Sequence, residues 1–218
     1  MKFVVPAAFV LLFAIFLPLF GLTKGSTRTV FKVLCTGVAL TLCTIGAVQH
    51  STVYGWLMVI GMFFGLLGDI AIERSLLWGM ALFFTGHIFY CTAFWTQQPP
   101  GVLSLILFAV LFGTTTLIGW KYFRQMDFGP FPCIAYAVLL SAMAALAVPL
   151  FSVAANGKFA AIGALFFFLS DAILAIIICS NEKLPKKKRT WMGACNITTY
   201  YLGQFLLALS VCGLLQQL

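Results

Sequence analysis

The chain has 218 residues, of which 62% are hydrophobic and only 8% charged, with a formal net charge of +8. A soluble domain carries roughly 25% charged residues, so this composition cannot clothe a water-facing surface and excludes a soluble enzyme or binding module. The apolar runs are about 20 residues long, enough to cross a bilayer as helices, and they are apolar on every side rather than alternating as barrel strands do.

The expected fold class is all-α: a polytopic membrane protein with eight transmembrane helices in a single transmembrane domain over residues 1–218. In chain order the spans are read at about 3–22, 30–48, 53–72, 76–97, 101–120, 131–151, 158–180 and 191–215. The first begins MKFVVPAAFVLLF and has the look of a signal peptide, but no good small-x-small cleavage site follows, so it is kept as a helix.

The odd-numbered connections carry Lys24 and Arg28, then Arg74, then Lys121 and Arg124, then Lys183, Lys186, Lys187, Lys188 and Arg189. The even connections and both termini carry only Lys2 and Lys158. Cytoplasmic loops are the lysine- and arginine-rich ones, so the odd loops are expected in the cytoplasm and both termini on the non-cytoplasmic side. A bacterial inner membrane and a eukaryotic endoplasmic reticulum both suit such a chain. The positive charge is thus explained by topology, with no nucleic-acid partner required. The LPKKKR run could also hold anionic lipid headgroups. Seven cysteines stand as singles with no CxxC pair and read as small buried hydrophobes.

Five acidic residues are present. Asp127 and Glu182 fall in loops, and Glu73 stands beside Arg74 as an expected solvated pair. Asp69 and Asp171 remain, each embedded in an apolar run, FFGLLGDIAI and LFFFLSDAIL. An ionisable group at membrane depth costs several kcal/mol unless paired or wetted, so it reads as functional by default. The competing reading is a structural aspartate bonded to a neighbouring helix. Counting ~1.5 Å per residue from the cytoplasmic ends, Lys32 and Asp69 lie about 3–5 Å in, Tyr136 about 8 Å, and Asp171, His87 and Tyr200 about 14–16 Å. All fall in the cytoplasmic half or near the midplane, as a polar cavity opening to that leaflet would require. His87 and Tyr90, three apart, share a helix face, as do Tyr200 and Gln204, four apart. The bland readings are interfacial tyrosines and a histidine bonded between helices.

Aligning GMFFGLLGDIAI with GALFFFLSDAIL pairs Gly61 with Gly163 and Asp69 with Asp171. Both helices run in the same direction, which suggests a parallel duplication of spans 1–4 onto spans 5–8. Sites in repeat-built membrane proteins lie where the halves meet, which would bring the two aspartates together. With two histidines, His50 and His87, far apart, and no HExxH, no metal site or other cofactor is expected. There is also no GxSxG elbow, P-loop or dinucleotide fingerprint.

Several stretches are familiar in combination: FKVLCT at 31–36, GLLGDIAI at 65–72, WGMALFFTGHIFYCTAF at 78–94, IAYAVLLSAM at 134–143, GALFFFLSDAILAI at 163–176 and TTYYLGQFLLALS at 198–210. In that order they resemble the YhhN family of integral-membrane lysoplasmalogenases. The resemblance implies polar site positions at Lys32, Asp69, His87, Tyr90, Tyr136, Ser170, Asp171, Tyr200, Tyr201 and Gln204. The acid-free stretch AILAIIICS after Asp171 departs from relatives that often carry a polar or aromatic run there.

The activity implied is hydrolysis of the vinyl ether bond of lysoplasmalogens, lysoplasmenylethanolamine or lysoplasmenylcholine. The products are a fatty aldehyde and glycerophosphoethanolamine or glycerophosphocholine. The partners are then a lysophospholipid drawn from the membrane and water. One carboxyl must protonate the terminal alkene carbon while the other stays charged, and like charges in a low-dielectric pocket favour that split. Asp171 is favoured as the acid and Asp69 as base or electrostatic partner, with the reverse assignment open. Lys32 would hold the phosphate as a point charge, and the tyrosines and His87 would orient the acids and the glycerol hydroxyl. Two other classes remain: a proton-coupled carrier of small metabolites, and a non-enzymatic lipid-binding protein with structural aspartates.

Overall fold

A computed structural model describes Ala7, Leu11, Ala14 and Ile15, and residues 26–154, 156–180 and 185–212. Seven long helices make up the described chain: α1 (Ser26–His50), α2 (Val53–Ala71), α3 (Leu76–Gln97), α4 (Val102–Phe123), α5 (Phe131–Ala147), α6 (Gly157–Cys179) and α7 (Lys186–Cys212). A short 3₁₀ segment, Val148–Ser152, extends α5. Pro149 sits at its start, where the missing N–H ends regular α-helical bonding. Two helix starts are capped by hydroxyls. Thr52 Oγ1 accepts from the Gly55 N–H at 3.1 Å, and Ser75 Oγ accepts from the Trp78 N–H at 3.5 Å.

Among the described residues six helices are long and apolar enough to cross a membrane: Thr27–His50, Val53–Ala71, Leu76–Gln97, Val102–Phe123, Phe131–Ser152 and Gly157–Ile178. The protein is therefore an all-α, multi-pass membrane protein, but the expectation of eight spans is overturned. The expected first span, 3–22, lies outside the described residues apart from four helical positions. The expected last span corresponds to α7, which is long but less apolar than the other six. It opens on KKKR and carries Asn196, Thr198, Thr199, Tyr200, Tyr201 and Gln204 through its middle. Tyr200, Tyr201 and Gln204 are buried against other helices and Asn196 bonds Ser170 on α6, so α7 need not be greasy. Among the described residues the six apolar spans do not make a four-plus-four duplication.

The helices pack as antiparallel neighbours, most extensively α6 on α7 and α2 on α3. Helix α1 lies against α2 and α7, and α5 lies against α3, α4 and α6. Close crossings use glycine, as is common where helix backbones approach in a membrane. A methyl group on Gly163 would sit 3.0 Å from the Gly203 carbonyl oxygen, and one on Gly203 3.0 Å from that of Gly163. Tyr90, Phe94, Phe167, Tyr201 and Leu207 fill the core between these pairs. Only Ser104 and Phe123 of α4 are fully buried, and the rest of that helix is half-buried or exposed.

The two ends of the bundle differ. At one end α1 begins with Arg28 and Lys32, close to Glu73 in the α2–α3 turn. At the other end His50 approaches the Cys212 carbonyl at 3.4 Å, and Tyr54 and Ser210 share a hydrogen bond of 2.6 Å.

Candidate functional site

Asp69 occupies the last turn of α2 and is buried. Its Oδ2 accepts hydrogen bonds from Thr36 on α1, at 2.5 Å, and from the Tyr200 hydroxyl on α7, at 3.1 Å. Behind Tyr200 the chain of bonds continues. Gln204 Nε2 donates to the Tyr200 hydroxyl at 3.1 Å, and the Tyr90 hydroxyl donates to Gln204 Oε1 at 3.4 Å. Tyr200 and Gln204 are one helical turn apart, which puts both on the α7 face that meets α2 and α3. Tyr201, the next residue along, is rotated by about 100°. It is fully buried, packs edge-on to Tyr200 at 4.9 Å between ring centroids and interacts with Thr36.

Asp171 lies on α6, and its Oδ2 accepts a hydrogen bond from the Tyr136 hydroxyl on α5. His87 on α3 is buried beside this pair, with Nε2 at 3.9 Å from Asp171 Oδ2. Its ring is held by aromatic neighbours, with Phe167 at 5.1 Å and Tyr136 at 5.3 Å between centroids. Neither ring nitrogen has a hydrogen-bond partner at normal geometry. Ser170, adjacent in sequence to Asp171, points instead at α7. Its Oγ donates to the Asn196 carbonyl at 3.2 Å, and Asn196 Nδ2 returns bonds to the Ser170 carbonyl and hydroxyl at 2.7 and 2.9 Å. This knot ties α6 to α7 one residue away from the acid.

Two cavities meet at Asp171. The polar one, about 330 Å³, is lined by Arg28, Lys32, Asp69, Glu73, Ser170, Asp171, Asn196 and Tyr200 among others. The second, about 110 Å³, is almost wholly apolar and lies between α3, α4, α5 and α6, with Met80, Phe83, Phe123, Tyr136, Leu140 and Phe168 in its wall. Ile72, Leu76, Phe83, Asp171, Leu174 and Ile178 line both. Asp171 is the carboxylate at the boundary, whereas Asp69 faces only the polar side.

The structure therefore brings Lys32, Asp69, Ser170, Asp171 and Tyr200 around one cavity and puts Tyr136 on the adjoining one. His87, Tyr90, Tyr201 and Gln204 stand behind these walls, buried in the protein. Lys32 is engaged rather than free: its Nζ is 2.5 Å from Glu73 Oε1. This corrects the expectation that Glu73 pairs with Arg74. Residues 73 and 74 are sequence neighbours in the turn, but the partner of Glu73 is Lys32, which approaches from α1. The phenylalanine-rich third and seventh spans of the sequence, at 53–72 and 158–180, suggest the walls of an apolar tunnel for one acyl-like chain at the inner end of the pocket. The apolar cavity is lined by the second of these, α6, through Phe168, Ala172, Leu174, Ala175 and Ile178, but the first contributes only Ile72, and α3 and α5 supply most of the remaining wall.

Four site residues escaped the sequence reading: Arg28, Thr36, Glu73 and Asn196. A signal for two of them exists. Thr36 is four residues from Lys32 and Glu73 four from Asp69, so each shares a helical face with a residue already singled out. Among the described residues, no three histidine, cysteine, aspartate or glutamate side chains gather as a metal-ligand set.

Comparison with curated proteins and with solved structures found no match. The sequence profile of the YhhN family matches residues 27–211, a stretch holding every residue of the two cavities, and the chain belongs to that family.

Proposed function

We propose that the protein is a lysoplasmalogenase, cleaving the vinyl ether bond of lysoplasmenylethanolamine or lysoplasmenylcholine by a two-aspartate acid–base mechanism. Family membership supports the general class. The observation that carries the specific reading is the position of Asp171 where a polar cavity meets an apolar one. A lysoplasmalogen has its scissile bond at the junction between glycerol and hydrocarbon chain. Seated with its headgroup among Arg28, Lys32 and Glu73 and its chain along Phe83 and Phe168, it presents that bond to Asp171.

In this reading Asp171 delivers a proton to the alkene carbon distal to the ether oxygen, leaving an oxocarbenium ion. Asp69, an acceptor of two hydrogen bonds in the polar cavity, supplies negative charge towards that cation and accepts a proton from the attacking water. The resulting hemiacetal collapses to a fatty aldehyde and the glycerol hydroxyl. Tyr136 orients the acid by its hydrogen bond, and His87 packs behind both. Activity then follows a bell-shaped pH profile, because one carboxyl must be protonated and the other ionised.

The same reading places the end of the bundle bearing Arg28, Lys32 and the Lys186–Arg189 run at the cytoplasmic leaflet. The Cys212 end of α7 then lies on the non-cytoplasmic side. The location of the N-terminus depends on residues outside those described.

The test is turnover by purified protein given alkenyl, alkyl and acyl lysolipids. Aldehyde release from the alkenyl lipid alone supports the reading. No aldehyde, or equal consumption of all three, removes it.

A further inference from the structure

The mouth of the polar cavity carries an ionic arrangement that acid–base chemistry at Asp171 does not use. Arg28 and Lys32 sit one turn apart on α1, and Glu73 faces them from the α2–α3 turn. Lys32 is in direct contact with Glu73 at 2.5 Å, and Arg28 also lies within the electrostatic reach of Glu73. The Lys32 side chain is 12% exposed and that of Glu73 30%, so the pair is neither deeply buried nor freely solvated. All three line the cavity that holds Asp69 and Asp171.

We infer that Arg28, Lys32 and Glu73 form a subsite for a zwitterionic phospho-amine headgroup, the phosphate bound by the two cations and the ammonium by the Glu73 carboxylate. The inference rests on the proposed lysolipid substrate and deepens it by naming Glu73 as the residue that reads the headgroup. Two cations and one carboxylate have a net charge of +1. A phosphodiester alone would satisfy the cations but would also meet the repulsion of Glu73. A headgroup with an ammonium group beyond the phosphate gives Glu73 a new partner in place of the Lys32 ammonium that the phosphate draws away. A guanidinium offers paired N–H donors for a phosphate and a lysine adds a compact point charge. In the empty site the Lys32–Glu73 pair keeps both partners from being left uncompensated, and the zwitterion exchanges one set of ion pairs for another. A merely structural role for the pair, stapling α1 to the α2–α3 turn, predicts no headgroup preference, and the two readings separate on that point.

The experiment measures equilibrium binding of non-cleavable 1-O-alkyl lysolipids to the full-length protein in lipid nanodiscs. One lipid carries phosphoethanolamine. A second carries phosphoethanol, which has the phosphate and chain length but no amine. A third ligand is free glycerophosphoethanolamine. Wild-type protein is expected to bind the phosphoethanolamine lipid roughly tenfold more tightly than the phosphoethanol lipid. Glu73→Gln should bring the two within about threefold, and Lys32→Gln should weaken both alike. Equal affinities in the wild type overturn the inference without reference to any variant, as does an unchanged ratio in a folded Glu73→Gln protein. Free glycerophosphoethanolamine binding as tightly as the lysolipid would overturn the lipid assignment. Because the alkyl lipids are not cleaved, the binding ratio stands or falls separately from hydrolysis of the alkenyl substrate.

Discussion

Thr36 donates a hydrogen bond to Asp69 at 2.5 Å, and one helical turn away Lys32 meets Glu73 at the same distance. The two contacts keep one antiparallel register, in which a step of four residues along α1 is matched by four on the opposing chain. They form a short polar ladder between α1 and the end of α2, with an ionic rung at the cavity mouth and a hydroxyl–carboxyl rung inside. Asp69 is thus fixed from α1 by Thr36 and from α7 by Tyr200. Its carboxyl cannot rotate without breaking one of these bonds.

Replacing Asp171 with asparagine keeps its size and lets it still accept from Tyr136, but an amide does not release a proton. Aldehyde release is expected to fall by about 10²–10⁴-fold, the usual contribution of a general acid. Asp69→Asn should produce a loss in the same range, and the double variant should lose little more than either single one. Size-exclusion behaviour and thermal unfolding establish that the variants are folded. A folded Asp171→Asn protein keeping a tenth of wild-type turnover excludes Asp171 as the acid.

Tyr136→Phe removes the hydroxyl that orients Asp171 and leaves the ring packed on His87. A drop in kcat of roughly 10–100-fold with KM nearly unchanged is expected, since the bond acts on the acid and not on the lipid. The pH–rate profile should shift as well. A large rise in KM with kcat intact would assign Tyr136 to substrate binding instead.

Thr36→Val is close in shape and deletes a buried donor to Asp69. Leaving a buried acceptor short of a partner costs about 1–3 kcal/mol, which denaturant or thermal unfolding in detergent would register. Thr41→Val, on the exposed face of the same helix, removes only a bond to its own Gly37 carbonyl and serves as the control. If both variants are equally stable, the Thr36–Asp69 bond contributes nothing to the fold.

Gly203→Ala puts a methyl 3.0 Å from both the Gly163 carbonyl oxygen and the Phe167 nitrogen. Forcing extra volume into a packed crossing costs about 1–3 kcal/mol. Turnover should fall together with stability, although the alanine touches no cavity wall. Gly113→Ala, on the outward-facing α4 with open space around it, should do neither.

Cysteines introduced one at a time over Lys186–Arg189 should react with a membrane-impermeant thiol reagent only from the cytoplasmic side. Modification from the opposite side reverses the orientation given to the bundle.

Much of the fold's character was legible in the sequence because lipid imposes a simple rule: a helix facing hydrocarbon must be apolar all round. That rule fails for α7, whose neighbours are protein. Tyr200, Tyr201 and Gln204 are buried against other helices, so the helix can carry the polar groups of the site, and reading 191–215 as one more apolar span overcounts. The two carboxylates stood out for the same reason, each being the lone acid in its run. Their partners did not. Thr36 is an ordinary helical threonine until α1 is placed beside α2, and Asn196 gains a role only when α6 and α7 fix Ser170 next to it. Glu73 was misread because adjacency in sequence suggested Arg74, whereas the turn delivers it to Lys32. The wall of the apolar cavity was read only in part: Phe168 on α6 lines it, whereas the phenylalanines of α2 do not, because rings that pack well fill space rather than leave it.

The mutual contact of Gly163 and Gly203 carries a consequence for how the site keeps its shape. At that crossing the separation of α6 and α7 is set by peptide groups in touch, with no side chain able to adopt another rotamer and relax it. Gly163 lies two turns from Asp171 on one helix, and Gly203 less than one turn from Tyr200 on the other. The spacing across the polar cavity is therefore geared to a hard stop elsewhere in the membrane. Side chains lining the cavity can be exchanged to suit a different lipid without altering that spacing, whereas one methyl group at the stop would re-space the whole site.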